Sequence, residues 1–259
     1  MTPPTRLRFA EPADASLLAF FLGRHLKWDR TAAVRLRAED GVLAVFARPA
    51  RFEVVAVLPL PLAAPEVSDP ADGTDAPAVP ALDLTVSAGE LLEGVEEPDG
   101  GTPAGVRLPA PVTGPPWTGL LPPREGWQRV AELSADGLRA AAGAVIAEFR
   151  DRTERLAPAE RTRSALETLA EGIWSRPLPD TVLPLRAVHA AHALGFLIAS
   201  EGTPAETGGD APDAGPVVLT AGNWIRLRTP RGSVAVRRSG GPSLPFVAPT
   251  TAGRGRHTH

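Results

Sequence analysis

The stretch that decides the fold is Ala33-Val-Arg-Leu-Arg37, a turn at Glu39-Asp40-Gly41, and then Val42-Leu-Ala-Val-Phe-Ala-Arg48. Apolar and polar residues alternate on both sides of the Asp-Gly pair, which predicts a β-hairpin with a tight turn. Because side chains alternate across a strand, one face of this hairpin is apolar. That face carries Val34, Leu36, Leu43 and Val45. The hairpin therefore predicts an antiparallel sheet with one face against a core.

The same pattern returns near the other end of the chain, where Ile225–Val236 repeats Val34–Val45 without a gap. Both segments begin with a β-branched residue and Arg-Leu-Arg, and both continue through a glycine to an apolar-Ala-Val triplet. Each copy follows a helix rich in apolar residues, so the echo predicts a duplicated helix-plus-hairpin unit with pseudo-twofold symmetry. The alternative is convergence, because amphipathic hairpins in an Arg- and Val-rich proteome resemble one another.

Further elements flank the two hairpins. In the N-terminal half we predict a helix over 14–26, a strand over 51–58 that Pro59 and Pro61 end, a strand over 82–86, and a short helix from Ser87 to about Gly94. In the C-terminal half we predict helices over 134–156, from Pro158 to Pro177, and over 185–199, then strands over 216–220, 223–229 and 232–238. The pattern predicts an α+β fold: an N-terminal antiparallel sheet with flanking helices, and a C-terminal region of three helices plus a β-hairpin.

A Pro- and Gly-rich segment divides the chain and contains Trp117 and Trp127. We predict four parts: an N-terminal α/β half (1–95), a connector (96–127), a C-terminal helical and hairpin half (128–238), and a disordered tail (239–259). The two indoles favour a connector that docks on another element over a bare tether. Little apolar surface is offered by 63–80, 200–215 and 240–259, so these segments are predicted to be mobile.

One short stretch is similar to a known family. The strand Leu84-Thr-Val-Ser-Ala88, followed by a helix, resembles the pattern of sliding clamps, which also repeat helix-plus-sheet units. The resemblance covers a dozen residues and contains no diagnostic motif. We therefore assign no family from it.

Composition excludes many enzyme classes. The 259 residues include no Cys and no Tyr, and the sole lysine, Lys27, follows no Gly-rich loop. Thiol chemistry, cysteine-based metal sites, phenol catalysis and P-loop phosphate binding are therefore excluded. The sequence also contains neither a Gly-x-Ser-x-Gly elbow nor a Gly-x-Gly-x-x-Gly loop. We predict no cofactor and favour a non-enzymatic protein, with an enzyme of dispersed active site as an alternative.

Charge and hydropathy bear on location. The formal net charge of -3 gives no general attraction to nucleic acid or to an anionic membrane. The first residues do not form a signal peptide, and the longest apolar stretches, 54–64 and 190–199, fall short of the roughly 20 residues that span a bilayer. We predict a cytoplasmic protein that does not bind membranes. The use of Arg in place of Lys, with abundant Ala, Gly and Pro, is typical of high-GC bacterial genes.

His189-Ala-Ala-His192 is a candidate metal site. Residues at i and i+3 share a helix face, so both rings could reach one ion, with Glu167, Glu171 or Asp180 as a third ligand. The rest of this helix is apolar, which favours two half-buried histidines satisfied by backbone or water. We therefore predict no structural metal, and keep a His-based site as an alternative.

The charge distribution points to a binding face. Residues 52–106 contain acids but no base, whereas 214–259 contain arginines but no acid. The predicted binding residues are Trp224, Arg226, Arg228, Arg231, Arg237 and Arg238. Trp and Arg are enriched at interface hot spots, and Arg grips carboxylates with paired hydrogen bonds. We favour an acidic protein partner over nucleic acid, with the acidic 66–99 segment as an internal cover; the oligomeric state is left open.

A DNA-binding protein with a winged-helix-like C-terminal region is the other alternative. Two helices followed by a basic hairpin have the right order, with 217–238 as the wing and 185–198 as the recognition helix. That helix offers only Arg186, His189 and His192 to a groove, and its connection to the preceding helix is long.

Overall fold

The computed structural model describes residues 6–64, 81–98, 104–198 and 215–238. The strands are β1 (Arg6–Arg8), β2 (Ala33–Glu39), β3 (Val42–Ala47), β4 (Val55–Pro61), β5 (Leu82–Ser87), β6 (Val95–Glu96), β7 (Gly105–Arg107), β8 (Gln128–Glu132), β9 (Val217–Ala221), β10 (Trp224–Thr229) and β11 (Gly232–Arg237). The helices are α1 (Ala13–Leu26), α2 (Ala88–Glu93), α3 (Ala135–Arg155), α4 (Arg163–Trp174) and α5 (Leu185–Ala193). The predicted α+β class is confirmed.

The first hairpin forms where the alternation predicted it. β2 and β3 pair antiparallel from Arg35–Phe46 to Glu39–Val42. Asp40 and Gly41 have φ values of 51° and 75°, the left-handed backbone that a two-residue turn between twisted strands requires. All four predicted core side chains of this hairpin are fully buried.

The third strand is displaced from its prediction. β4 begins at Val55, because Arg51 and Glu53 adopt left-handed φ values of 75° and 53° in the preceding loop. Pro59 lies inside β4 and does not end it, whereas Pro61 is its last residue. The ladder with β11 covers only Val55–Val57, so beyond that point one edge of β4 needs no amide donors.

One sheet runs through both halves of the chain. Its order is β5-β2-β3-β4-β11-β10-β9-β8, and β4 and β11 join the halves. The C-terminal region therefore contributes four strands, more than the predicted hairpin alone. A twofold axis between β4 and β11 would relate β11 to β4 and β10 to β3. The hairpin β10–β11 would then correspond to β3–β4 and not to β2–β3. The two hairpins that share the sequence echo are therefore not equivalent in the sheet.

The winged-helix alternative is wrong. A wing is a hairpin free at its edges, but β10 and β11 pair with β9 and β4 on their outer sides. The supposed recognition helix is α5, whose Ala187, Val188, Ala190 and Ala191 are fully buried against the protein. Neither element is free to enter a groove.

The helices cover one face of the sheet and the connector crosses the other. Core-facing residues of β2, β3, β4, β10 and β11 belong to the same buried cluster as Leu18, Leu22, Leu138 and Val188 of the helices. On the opposite face, the Val112 amide donates to the Thr85 carbonyl at 2.8 Å, and the Arg35 guanidinium donates to the Thr118 carbonyl at 2.6 Å. A small sheet, β1-β7-β6, completes the N-terminal half.

Most residues of the segments predicted to be mobile lie outside the described ranges, as do 239–259. No helix in the described part of the chain is both long enough and apolar enough to span a bilayer.

Candidate functional site

The predicted binding residues of β10 lie on the face opposite the helices. Ile225 and Leu227 are buried in the core, so the alternate residues Trp224, Arg226 and Arg228 point away from it. Trp224 is paired directly across the ladder with Arg237 of β11. Strand alternation therefore places these four side chains on the face opposite the helices.

The Arg226 side chain already contacts other residues of the protein. Its Nε donates to the Ser233 hydroxyl at 2.9 Å, and its guanidinium lies 5.5 Å from the centre of the Trp127 ring. Burial, reinforced by the neighbouring charge of Arg228, lowers the pKa of Arg226 to about 10. The structure thus removes Arg226 from the predicted binding face.

Arg228 and Arg231 lie at the far end of the hairpin from Trp224. Arg228 is paired with Ser233, four residues along the strand from the Trp224–Arg237 pair, or about 13 Å at the usual rise per residue. Thr229 Oγ1 donates to the Gly232 carbonyl at 2.9 Å and tightens the turn that holds Arg231. The six predicted residues are therefore not one continuous patch.

Trp224 and Arg237 instead share a cleft with the connector. It has a volume of about 480 Å³ and is lined on one side by the turn from Ala221 to Trp224 and by Arg237, and on the other by connector residues between Leu120 and Gly126. We call this the Trp224 cleft. Leu120, one of the lining residues, is 48% exposed.

Backbone and indole hydrogen bonds fix both walls of the Trp224 cleft. The Arg238 amide donates to the Asn223 carbonyl at 2.8 Å and holds the β9–β10 turn. The Trp127 indole N–H donates to the Pro123 carbonyl at 2.9 Å and holds the connector. The cleft is therefore a preformed feature of the described chain.

The Trp224 cleft combines apolar, aromatic and charged side chains. It offers an indole, two leucines (Leu120 and Leu121) and a guanidinium, with Glu125 as the acid among its lining residues. Its lining contains no histidine and no serine, so it holds no nucleophile–base pair. The sequence analysis did not identify the connector residues as part of this cleft. The two indoles of the connector had indicated only that it packs on another element.

The two histidines of the pair lie on α5 in different environments. His189 packs between Phe52 and Trp174, with ring centres 5.0 and 5.4 Å away, and burial, with a smaller effect of His192, lowers its pKa to about 4. His192 is exposed, and Glu171 is paired with Arg186. Within the ranges that the structure describes, no three His, Asp or Glu side chains are grouped to hold a metal ion.

Two family models match the chain, both described as domains of unknown function. DUF8010 matches residues 2–119 and DUF8185 matches residues 122–241. No protein of curated function matches the sequence.

Solved structures of bacterial sliding clamps are distantly similar. The DNA polymerase III subunit beta from Pseudomonas aeruginosa is 12% identical, with 93% of this chain and 66% of that chain covered and a TM-score of 0.40. A DNA polymerase sliding clamp from the same organism is 13% identical, with the same coverage and a TM-score of 0.42. This chain spans 66% of the length of those clamp chains. At these scores the likeness assigns neither a function nor a partner.

Proposed function

We propose that this protein is a non-enzymatic interaction module that binds a short acidic segment of another protein in the Trp224 cleft. The observation that carries the proposal is the direct pairing of Trp224 with Arg237 beside the exposed Leu120. An indole and a leucine give apolar area at low entropic cost, and a guanidinium beside them fixes a carboxylate. Such a site suits a peptide with one apolar anchor and a neighbouring Asp or Glu.

The distribution of charge favours a protein over nucleic acid. Nucleic-acid binding proteins neutralise several phosphates at once with clustered Lys and Arg. Here Arg226 is covered, Arg228 and Arg231 lie at the other end of the hairpin, and Glu125 sits in the cleft beside Arg237. Of the six predicted residues, Arg237 and Arg238 are the exposed guanidinium groups left at this end of the hairpin, too few to match a polyphosphate backbone.

Affinity capture from the native cell, followed by binding measurements with the captured protein, tests this proposal. Trp224→Ala and Arg237→Gln should each weaken the interaction about tenfold or more, since a hot-spot truncation costs at least ~1–2 kcal/mol. Arg150→Gln, which removes an exposed arginine on α3, is the matched control and should change nothing.

Salt dependence separates the two kinds of partner. A protein partner should show a shallow loss of affinity with rising salt, whereas a nucleic acid should show a steep slope that follows the number of phosphates engaged. Unchanged binding of every captured partner to both cleft variants would overturn the proposal. A steep slope with a captured nucleic acid would overturn it as well.

A further inference from the structure

A second cleft lies in the N-terminal half, at the ends of β2, β3 and β5. It has a volume of about 740 Å³, inside the ~300–1,000 Å³ range of small-ligand sites. Its walls come from the end of α1, the β3–β4 loop, Ser87 and the connector over Val112–Trp117. We call it the His25 cleft.

His25 is an unpaired polar group in the wall of this cleft. The residue is 1% exposed, and within the described residues neither of its ring nitrogens has a hydrogen-bond partner. Buried polar atoms in native proteins are almost always paired, by protein, water or ligand. A neutral imidazole has one donor and one acceptor to offer, so a hydroxyl or a similar group on a ligand would satisfy it.

Arg48 and Arg51 supply positive charge to the His25 cleft. Both side chains are exposed, and no ion pair joins either to another residue of the described chain. The other charged lining residues are engaged, because Asp29 accepts two hydrogen bonds from Thr31 at 2.8 and 2.9 Å and Glu53 is paired with Arg186. Among the described residues, the two guanidinium groups are therefore the charged lining groups left without an ion pair or a hydrogen bond, and the Asp29 carboxylate keeps its negative charge.

The β3–β4 loop is held in a conformation that its residues rarely adopt. Arg51 and Glu53 both have left-handed φ values, and such residues cluster where surrounding structure enforces them, often at ligand sites. Phe52 between them packs edge-on against Trp28 with 5.2 Å between ring centres. The loop thus presents Arg51 from a fixed position.

The opposite wall is apolar and equally well fixed. Val112 is 41% exposed and Trp117 is half-buried. The hydrogen bond from the Val112 amide to Thr85 and that from Arg35 to Thr118 hold this wall on the sheet. A rigid apolar wall facing two free guanidinium groups is complementary to a molecule with an anionic head and an apolar body.

We propose that the His25 cleft is a binding site for a small organic anion, a carboxylate or phosphate ester carrying an aromatic or other apolar body. The anionic head pairs with Arg48 and Arg51, and the body lies against Val112 and Trp117. A hydrogen-bonding group of the ligand reaches His25 after a local shift of the wall, because the His25 ring nitrogens are closed off from solvent in the structure. This site is independent of the Trp224 cleft.

Nuclear magnetic resonance titration of the full chain with benzoate and phenyl phosphate tests the proposal. The signals to follow are those of the Trp117 indole, the arginine Nε–H groups and the His25 ring. At least one aromatic anion should shift these signals saturably in the millimolar range. Benzamide lacks the charge and inorganic phosphate lacks the apolar body. Each should bind at least about tenfold more weakly than the better aromatic anion.

Variants assign the binding to the cleft. Arg48→Gln and Arg51→Gln should each weaken binding of the better probe about tenfold, the usual size of one charge-assisted contact. Arg150→Gln and Trp224→Ala should leave it unchanged. His25→Phe should also weaken binding; if it does not fold, the two surface arginine variants decide.

Three results would overturn the proposal: no saturable shift with either aromatic anion, undiminished binding in both arginine variants, or inorganic phosphate binding as strongly as phenyl phosphate. Failure of the Trp224 cleft to bind a protein would leave this site unaffected, because the two clefts share no lining residue.

Discussion

The indole ring of Trp127 lies over the guanidinium group of Arg226, with 5.5 Å between the Arg226 Cζ and the ring centre. Trp127 belongs to the connector and Arg226 to a central strand of the sheet. This contact joins two segments that are about a hundred residues apart in sequence. Because of it, the Arg226 guanidinium, which the sequence predicted to be on the binding surface, is covered by the Trp127 ring.

Trp127→Ala should lower the free energy of unfolding by about 1–2 kcal/mol, because it removes both a partly desolvated cation–π contact and the packing of the ring on β10. Urea unfolding measures this. Leu120→Ala is the matched control, since its side chain is 48% exposed on the same connector, and should stay within about 0.5 kcal/mol of the parent. Equal stability of the two variants would show that the Trp127–Arg226 contact contributes nothing.

Stability should fall as the pH drops from about 6.5 towards 4. Burial lowers the pKa of both His25 and His189 from 6.5 to about 4, so over this window the unfolded chain binds more protons than the folded one. The stabilising contribution is complete above the unfolded pKa and is lost as the pH approaches the folded one. Burial is the larger effect on the pKa of His25, and the charge of Asp29 is a smaller effect in the opposite direction. The free energy of unfolding lost through His25 should be on the order of 3 kcal/mol.

Unfolding measured at several pH values in this window checks the assignment. His25→Phe should remove a large part of the slope, whereas His192→Gln, at an exposed position of α5, should leave the slope as it is. A parent protein whose stability is flat between pH 6.5 and 4.5 would contradict the burial of a neutral His25.

Gly232→Ala should cost much more stability than Gly222→Ala. Both glycines have positive φ, 153° and 51°, so both variants bear backbone strain of about 1–2 kcal/mol. A Cβ at Gly232 would lie 2.8 Å from two carbons of the Phe196 ring and 2.9 Å from the Val57 carbonyl oxygen, whereas one at Gly222 would meet nothing within 4 Å. We therefore expect at least about 3 kcal/mol for Gly232→Ala, because overpacking adds to the strain. Thermal and urea unfolding of the two variants compare them directly, and similar losses would contradict the close approach of β11 to β4.

Local signals in the sequence were sufficient for most elements. Ser87 and Ser134 cap α2 and α3, with their hydroxyl oxygens accepting from the Glu90 and Gly137 amides at 3.4 and 3.0 Å. Short strands with little alternation, β1, β6, β7 and β8, were not predicted. Each owes its existence to a partner strand elsewhere in the chain, which no local pattern reports.

The sequence by itself determined which residues alternate, where the Asp40-Gly41 turn falls and where helices are capped, because these depend on neighbours within a few positions. It therefore determined the α+β class, the two hairpins and the side of β10 that carries Trp224. Only the tertiary structure decided that both halves share one sheet, that Trp127 covers Arg226 while Trp224 and Arg237 stay open, and that His25, Arg48 and Arg51 line one cleft. These facts depend on which distant segments pack together. Burial stabilises any well-fitting apolar contact, whatever its separation in sequence, so the shape of the whole core sets that packing.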